Sequence, residues 1–409
     1  MYNTITEKIL HSNSVGSIVE RPVDLLMGHD GTAVLAIDKF NEDRKDIWDK
    51  NRVIIVFDHF SPPSSVERAN IQNKLFEFVK KNDLDFRMYE GICHQLLIED
   101  PRVVPGKVIV GADSHTVTAG ALGCFATGVG STDFLNVLQT GKLWFRVPES
   151  YKVVFKGRIP KYIQGKDLAL EVIRNIGEDG AIYKSIEFFD YTENRISMDD
   201  RITISNMSVE MGAKAGIFCP DEITENFVKS KNGEYSPILP DDKAIYSREI
   251  VIDVEKLEPL IAVPHGFNIQ KVSDFTGRII SQAFIGSCTS GRLTDLKTAA
   301  SIFDKTHPQK FVKTIIIPSS QKVYIKAIEA GYISSLIRAG AVVSNPGCGP
   351  CCNIDRGLIG DGEVCISTSN RNFRGRMGSL KAEVFLASTL TVSYSATLGR
   401  ITDPREYLC

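Results

Sequence analysis

Short apolar runs rich in β-branched residues recur along this chain, separated by stretches whose apolar positions follow a helical period. RVIIVFDHF predicts a buried strand over residues 52–57, because a strand covered on both faces is apolar without alternation. The ERANIQNKLFEFVKK that follows sets Ile71, Leu75, Phe78 and Val79 on one helix face. GKVIVGADSH predicts a second strand, SQAFIGSCTSG a third and KTIIIPSS another. AGAVV predicts one just before NPGCGPC, and GEVCISTSNRNFRGR supplies the last. Strands alternating with helices define an α/β chain.

Chemistry-bearing residues fall directly after these apolar runs: Asp58 and His59, then Asp113 with Ser114 and His115, Cys288, Cys348 and Cys351, and Asn370 with Arg371. In open α/β sheets ligands bind beyond the carboxyl ends of strands. Five such ends predict one converging site. Between about 150 and 275 the texture changes, from PESYKVVFKGRIPK to the polar KSKNGEYSPILPDDK, which reads as a second domain. VIVGADSH and AFIGSCTSG share a strand–glycine–turn shape, a weak sign of internal duplication.

The chain has 409 residues, enough for two or three domains of roughly 100–200 residues each. A net charge of −2 gives no basic field for nucleic acid. No apolar run approaches the roughly 18 residues that span a bilayer, and the first residues do not read as a signal peptide. The expectation is a soluble cytoplasmic protein without membrane or nucleic-acid partners.

Nine cysteines, an odd number, argue against a disulfide framework in a reducing compartment. Cys124, Cys219, Cys365 and Cys409 are scattered and read as small hydrophobes. NPGCGPCCNID, residues 345–355, is different. Cys348-Gly-Pro-Cys351 matches the thioredoxin tetrapeptide, but it lies far into the chain with no tryptophan nearby. Zinc would call for a second C-x-x-C or an H-x(3–5)-H partner, and the chain has neither. An iron–sulfur half-site suits the residues better. Cys288, in IGSCTSGR ahead of a helix starting near Leu293, is the natural third ligand. Three thiolates for four irons leave one iron open, as Lewis-acid chemistry requires.

GADSHT, IGSCTSGR, CGPC and STSNRNFRGR, in this order, resemble the large subunit of the aconitase and isopropylmalate dehydratase superfamily. The resemblance runs from HDGTA near residue 29 to GRITDPREYL at the end. It implies three α/β domains of aconitase type (1–150, 151–275 and 276–409) around a central iron–sulfur cluster, with the swivel domain absent from this chain. It implies one [4Fe–4S] cluster per chain on Cys288, Cys348 and Cys351, with one iron lacking a protein thiolate. Cys352 is then a packing residue. The chain departs from the family at Cys352-Asn353-Ile354-Asp355 and at Ser290, both near the cluster, which leaves specificity open.

The implied chemistry is dehydration of a hydroxy-polycarboxylic acid and rehydration at the neighbouring carbon. His59 with Asp58 is the expected acid. His94 and His115 are further site histidines, with Asp113 and Glu210 as partners. Ser114, Asn206, Asn370, Arg371 and Arg376 are expected to bind substrate, the arginines by forked hydrogen bonds to carboxylates. The base is expected on a small partner subunit, in a heterodimer or heterotetramer. 3-Isopropylmalate, an intermediate of leucine biosynthesis, is the foremost substrate. Homoaconitate, 2,3-dimethylmalate and citramalate are alternatives, and a non-enzymatic iron-sensing, RNA-binding relative is the rival of another class. His29, in MGHDGTA, either lines the site or caps a helix.

Overall fold

In the computed structural model, which describes residues 2–43, 45–354 and 356–408, three sheets account for nearly all the strands. The first has five parallel strands in the order Asp85–Met88, Val53–Phe57, Leu25–His29, Val108–Gly111, Phe125–Gly128. VIIVF and LLMGH are buried at every position, as unalternating apolar runs require. Lys50–Arg52 forms a single 3₁₀ turn, so the strand starts at Val53 rather than at 52. Asp49 accepts the Asn51 N–H there and holds the turn.

The helix Val66–Asn82 buries Leu75, Phe78 and Val79 as its spacing predicts. It also buries Gln72, a polar residue, while Ile71 is only half-buried. The reason is chemical: the Gln72 amide donates to Asp30 Oδ2 at 2.8 Å and to Phe60 O at 2.6 Å.

The second sheet orders its parallel strands Ala215–Phe218, Ser185–Thr192, Ser150–Gly157, Arg248–Asp253. The third has seven: Asn268–Lys271, Leu260–Val263, Glu383–Leu386, Val364–Ser367, Gln282–Ile285, Lys313–Ile316 and Val342–Val343. Its last five strands are parallel, and the first two join antiparallel. Residues 260–271 therefore belong to the third sheet by pairing. Cys124 and Cys365 are buried and Cys219 partly so, whereas Cys409 lies outside the described residues.

Two topological switch points decide where a ligand can sit. In the first sheet the winding reverses between Leu25–His29 and Val108–Gly111, in the third between Gln282–Ile285 and Val364–Ser367. Chains leaving a switch point diverge and open a crevice at the carboxyl ends of the strands. The two crevices meet: Ile92 N–H donates to Ser319 O at 2.9 Å, and Cys348 N–H reaches Asp58 O at 3.4 Å. Among the described residues no helix is long and apolar enough to cross a membrane.

Candidate active site

Cys288 follows the strand Gln282–Ile285 in a tight turn with Ser287 at φ 71° and Gly291 at φ 77°. A Cβ on Gly291 would lie 2.5 Å from Ile317 O, so the turn closes only on glycine. Thr368 ties it to the neighbouring strand end: its Oγ1 accepts the Gly286 N–H at 2.9 Å, and its carbonyl accepts from Thr289 Oγ1 at 2.6 Å. The buried Arg292 donates to Cys288 O at 2.7 Å and fixes the loop from behind.

Cys348 leads into a 3₁₀ turn, Gly349–Cys352, whose C-cap is Asn353 at φ 57°. That left-handed position takes glycine by default and asparagine next best. The departure at Asn353 therefore keeps the backbone of the cysteine loop. Ile354 O accepts from Arg68, and Arg356 donates to Asn345 and to Ser61 O. Asp355 lies outside the described residues.

Asn370 sits between the thiols. Its Nδ2 is 3.2 Å from Cys288 Sγ and its Oδ1 accepts from Cys351 Sγ at 3.2 Å. Burial pushes the Cys288 thiol up to about 12, and the nearby Cys351 adds to this. Burial also raises Cys348 well above the thiol range, helped by Asp58, Cys352 and Cys351. Raised in this way, Cys288 and Cys348 favour the protonated thiol until a cation compensates them, and an all-sulfur donor set suits iron–sulfur ligation. Arg376 Nε, Asn206 Oδ1 and His94 Nδ1 are buried with no partner among the described residues. These orphaned atoms leave the pocket open to a further group, and the sulfur donor set beside them fits the cluster.

Opposite the thiols stand three histidine–carboxylate pairs. His59 Nδ1 lies 2.8 Å from Asp58 Oδ1, His94 Nε2 2.8 Å from Asp113 Oδ1, and His115 Nε2 2.7 Å from Glu210 Oε1. Each carboxylate is also held by a second donor. Asp58 Oδ2 accepts the Cys93 N–H at 2.7 Å, capping the helix Cys93–Glu99 that carries His94. Asp113 Oδ1 accepts the His115 N–H at 2.7 Å, and Glu210 Oε2 accepts Arg371 Nε at 2.8 Å. His29, Asp30, Asp58 and His59 also have metal-ligand proximity, as do His94, Asp113 and His115. In each group a histidine nitrogen is hydrogen-bonded to a carboxylate oxygen of the same group, His59 to Asp58 and His94 to Asp113.

The pairs are poised differently. At His59 burial lowers the proton affinity, but the charge and hydrogen bond of Asp58 outweigh it and raise the ring to about 10. At Asp58 burial pushes up, yet His59 and the Cys93 N–H hold the carboxyl well below its usual range. His94 goes the other way: burial wins over Asp113 and lowers it. Environments that push two histidines apart separate a proton-carrying acid from a neutral ring.

The substrate-side candidates divide. Arg371 is tied to Glu210 and, through Nη2, to Ser114 Oγ at 3.3 Å. Asn206 Nδ2 donates to Thr118 Oγ1 at 2.8 Å, and Asn370 Nδ2 also lies 2.8 Å from His115 Nε2. Arg376 lies against Cys351 and Cys352, and its guanidinium is raised above its ordinary value by them despite its burial. Arg374 is exposed.

Four residues that sequence reasoning did not single out also build the site. Asn372 pins the arginine loop, donating to Val384 O at 3.0 Å and Val263 O at 3.2 Å. Asp30 accepts the N–H groups of Asp58, His59 and Phe60 at 3.3, 3.0 and 3.1 Å. Arg292 holds the Cys288 loop as described above. Lys166 is buried, donates to Ser369 O at 2.9 Å, and is lowered to about 7 by that burial. Asp30 alone carried a signal, an acid beside a strand end.

Two switch points that meet thus bring three cysteines and three histidine–carboxylate pairs to one place. The chain belongs to the aconitase family, whose model for aconitate hydratases matches residues 4–277 and 266–399. It is 44% identical over 418 residues to the 3-isopropylmalate dehydratase large subunit 1 of Methanopyrus kandleri, covering all of both chains. It is 47% identical over 425 residues to the 3-isopropylmalate dehydratase large subunit of Wolinella succinogenes, covering 99% of this chain and all of that one. It is also 44% identical over 389 residues to a protein named probable methanogen homoaconitase large subunit from Methanosarcina mazei, covering 94% of this chain and 99% of that one.

Proposed function

We propose that this chain is the large, catalytic subunit of a hydro-lyase that isomerises 3-isopropylmalate in leucine biosynthesis, by dehydration and rehydration. The observation that carries the reading is the convergence of Cys288 and Cys351 on Asn370, and of Cys348 on Asp58, with the pairs His59–Asp58, His94–Asp113 and His115–Glu210 between two sheets. One [4Fe–4S] cluster per chain would be held by those three cysteines, with one iron lacking a protein thiolate. When bound it supplies Lewis acidity, which polarises a hydroxyl oxygen.

The chain's own residues do the rest. His59, kept protonated by Asp58, gives its proton to the departing hydroxyl, because hydroxide leaves poorly without one. Arg376 and the remaining donors of Arg371 hold substrate carboxylates, with Asn370 and Ser114 beside them. His115 and His94 keep fixed orientations through Glu210 and Asp113, and the lowered His94 stays a neutral ring. The base that takes the carbon-bound proton is assigned to a small partner subunit, in a heterodimer or heterotetramer, and the complex to the cytoplasm.

A homoaconitase is the second reading, favoured by the Methanosarcina relative at 44% identity. The test is anaerobic reconstitution with the small subunit, and assay of isopropylmalate, homoaconitate, dimethylmalate and citramalate side by side. Preferred turnover of isopropylmalate supports the reading. Preference for another acid replaces the substrate and keeps the reaction class. No turnover with an intact cluster favours a sensor.

A further inference from the structure

His29 ends the strand Leu25–His29 at the first switch point, yet it is only 1% exposed. The His59 side chain in front of it is 12% exposed. The rings are stacked, with centroids 4.0 Å apart and planes 14° apart. His29 is thus the more deeply buried ring of the stacked pair.

An imidazole held by one hydrogen bond has a soft χ2 torsion. His59 has such a bond, from Nδ1 to Asp58. A flat partner 4.0 Å away removes the remaining tilt, provided that partner is itself fixed.

It is fixed. The Gly31 N–H points at His29 Nδ1 at 3.1 Å, so Nδ1 carries the lone pair. Thr32 Oγ1 donates to Ala112 O at 2.6 Å, so it accepts from His29 Nε2 at 3.0 Å. The ring is therefore one neutral tautomer, with Nε2 protonated, and Nε2 also faces Asp113 Oδ2 at 3.6 Å. A neutral ring can lie flat on a charged His59, where a second cation would be repelled.

Gly31 is needed for this approach, since a Cβ there would fall 3.0 Å from His29 Cε1 and 3.1 Å from Nδ1. Asp30 meanwhile holds the backbone of residues 58–60. The turn 29–31 brackets both the main chain and the ring of the acid.

We propose that His29 is a positioning residue: locked as one tautomer by Gly31 and Thr32, its flat face sets the plane of the His59 ring and aims Nε2 at the departing hydroxyl. This rests on the reading of His59 as proton donor.

The test compares wild type, His29→Ala and His29→Phe, each as the full chain with its cluster and small subunit. His29→Ala is expected to lower kcat roughly 10–100-fold, the cost of an ångström-scale misplacement, with KM nearly unchanged. His29→Phe, which restores a flat ring without its hydrogen bonds, recovers most of kcat. Iron content and Tm stay alike in all three. A rise in KM at constant kcat, equal kcat losses in both variants, or no loss in His29→Ala would each overturn the proposal. Should His29→Ala not fold, His29→Leu, which fills the space without a flat face, must lower kcat at unchanged KM.

Nitrogen NMR of the histidine rings in the full chain is independent of turnover. Wild type must show a ring with bare Nδ1 and protonated Nε2 that is absent from both His29 variants. The His59 signals must shift in His29→Ala and return toward wild type in His29→Phe. Unmoved His59 signals in His29→Ala overturn the proposal. If wild type turns over none of the acids, the assigned reaction fails and these spectra alone decide the positioning.

Discussion

Arg371 Nε lies 2.8 Å from Glu210 Oε2, while the other Glu210 oxygen takes His115 Nε2 at 2.7 Å. One buried carboxylate thus couples an arginine of the third sheet's loops to a histidine of the first sheet's. Part of a guanidinium expected to grip substrate is committed to this bridge.

Glu210→Gln keeps the volume but turns one oxygen into a donor, which must then face either His115 or Arg371. Both of those groups donate toward Glu210, so one contact becomes repulsive. kcat/KM is expected to fall by about 10²–10⁴-fold, with secondary structure retained. Steady-state kinetics and circular dichroism on the same preparation check this.

Arg376 differs, because its Nε is buried without a partner among the described residues. A substrate carboxylate would satisfy it. Arg376→Lys loses the fork and is expected to raise KM about 10–100-fold, with a smaller change in kcat. Initial rates across substrate concentration read this directly.

The Asp58–His59 pair gives a signed pH dependence. His59 is raised from 6.5 to about 10, so its contribution to stability is complete below about 6.5 and is lost as pH climbs toward 10. Asp58 is depressed, so its contribution is present above its ordinary value near 3.8 and is lost as acid protonates it. Activity that needs the His59 proton falls on the same alkaline limb. In Asp58→Asn, burial acts on His59 without the opposing charge, and the limb moves to lower pH. pH–rate profiles over the alkaline limb, and urea unfolding of both chains from about pH 3 to about pH 10, check both signs.

Lys231 is a structural counterpart. Its buried Nζ donates to Ile98 O, Asp100 O and Val103 O at 2.8, 2.7 and 2.7 Å, closing the end of the helix that carries His94. Lys231→Met leaves three carbonyls without a donor and is expected to cost about 2–4 kcal/mol. The midpoint of urea unfolding measures this.

The strand ends were legible because parallel, doubly covered strands are unbroken apolar runs, and the polar residue after each marks the crevice. Asp58, Asp113 and Cys288 are of this kind. What was not legible is the packing between sheets. No local period says that Asn370 spans Cys288 and Cys351, or that Glu210 meets Arg371. Nothing local marks Gln72 as buried, because its partner, Asp30, lies 42 residues away. Nothing local marks Lys166 either, since only the folded chain brings Ser369 O to it. Asn353 looked like a break in the cysteine motif until its φ of 57° showed that asparagine stands in for glycine.

The central claim is that three thiols, and not their neighbour, hold the metal centre. The direct measurement is iron and acid-labile sulfide per chain after anaerobic reconstitution of wild type, Cys288→Ala, Cys348→Ala, Cys351→Ala and Cys352→Ala. About four irons per chain are expected in wild type and in Cys352→Ala, with a clear loss in each of the other three. Full iron in all three ligand variants, or its loss in Cys352→Ala alone, would contradict the account.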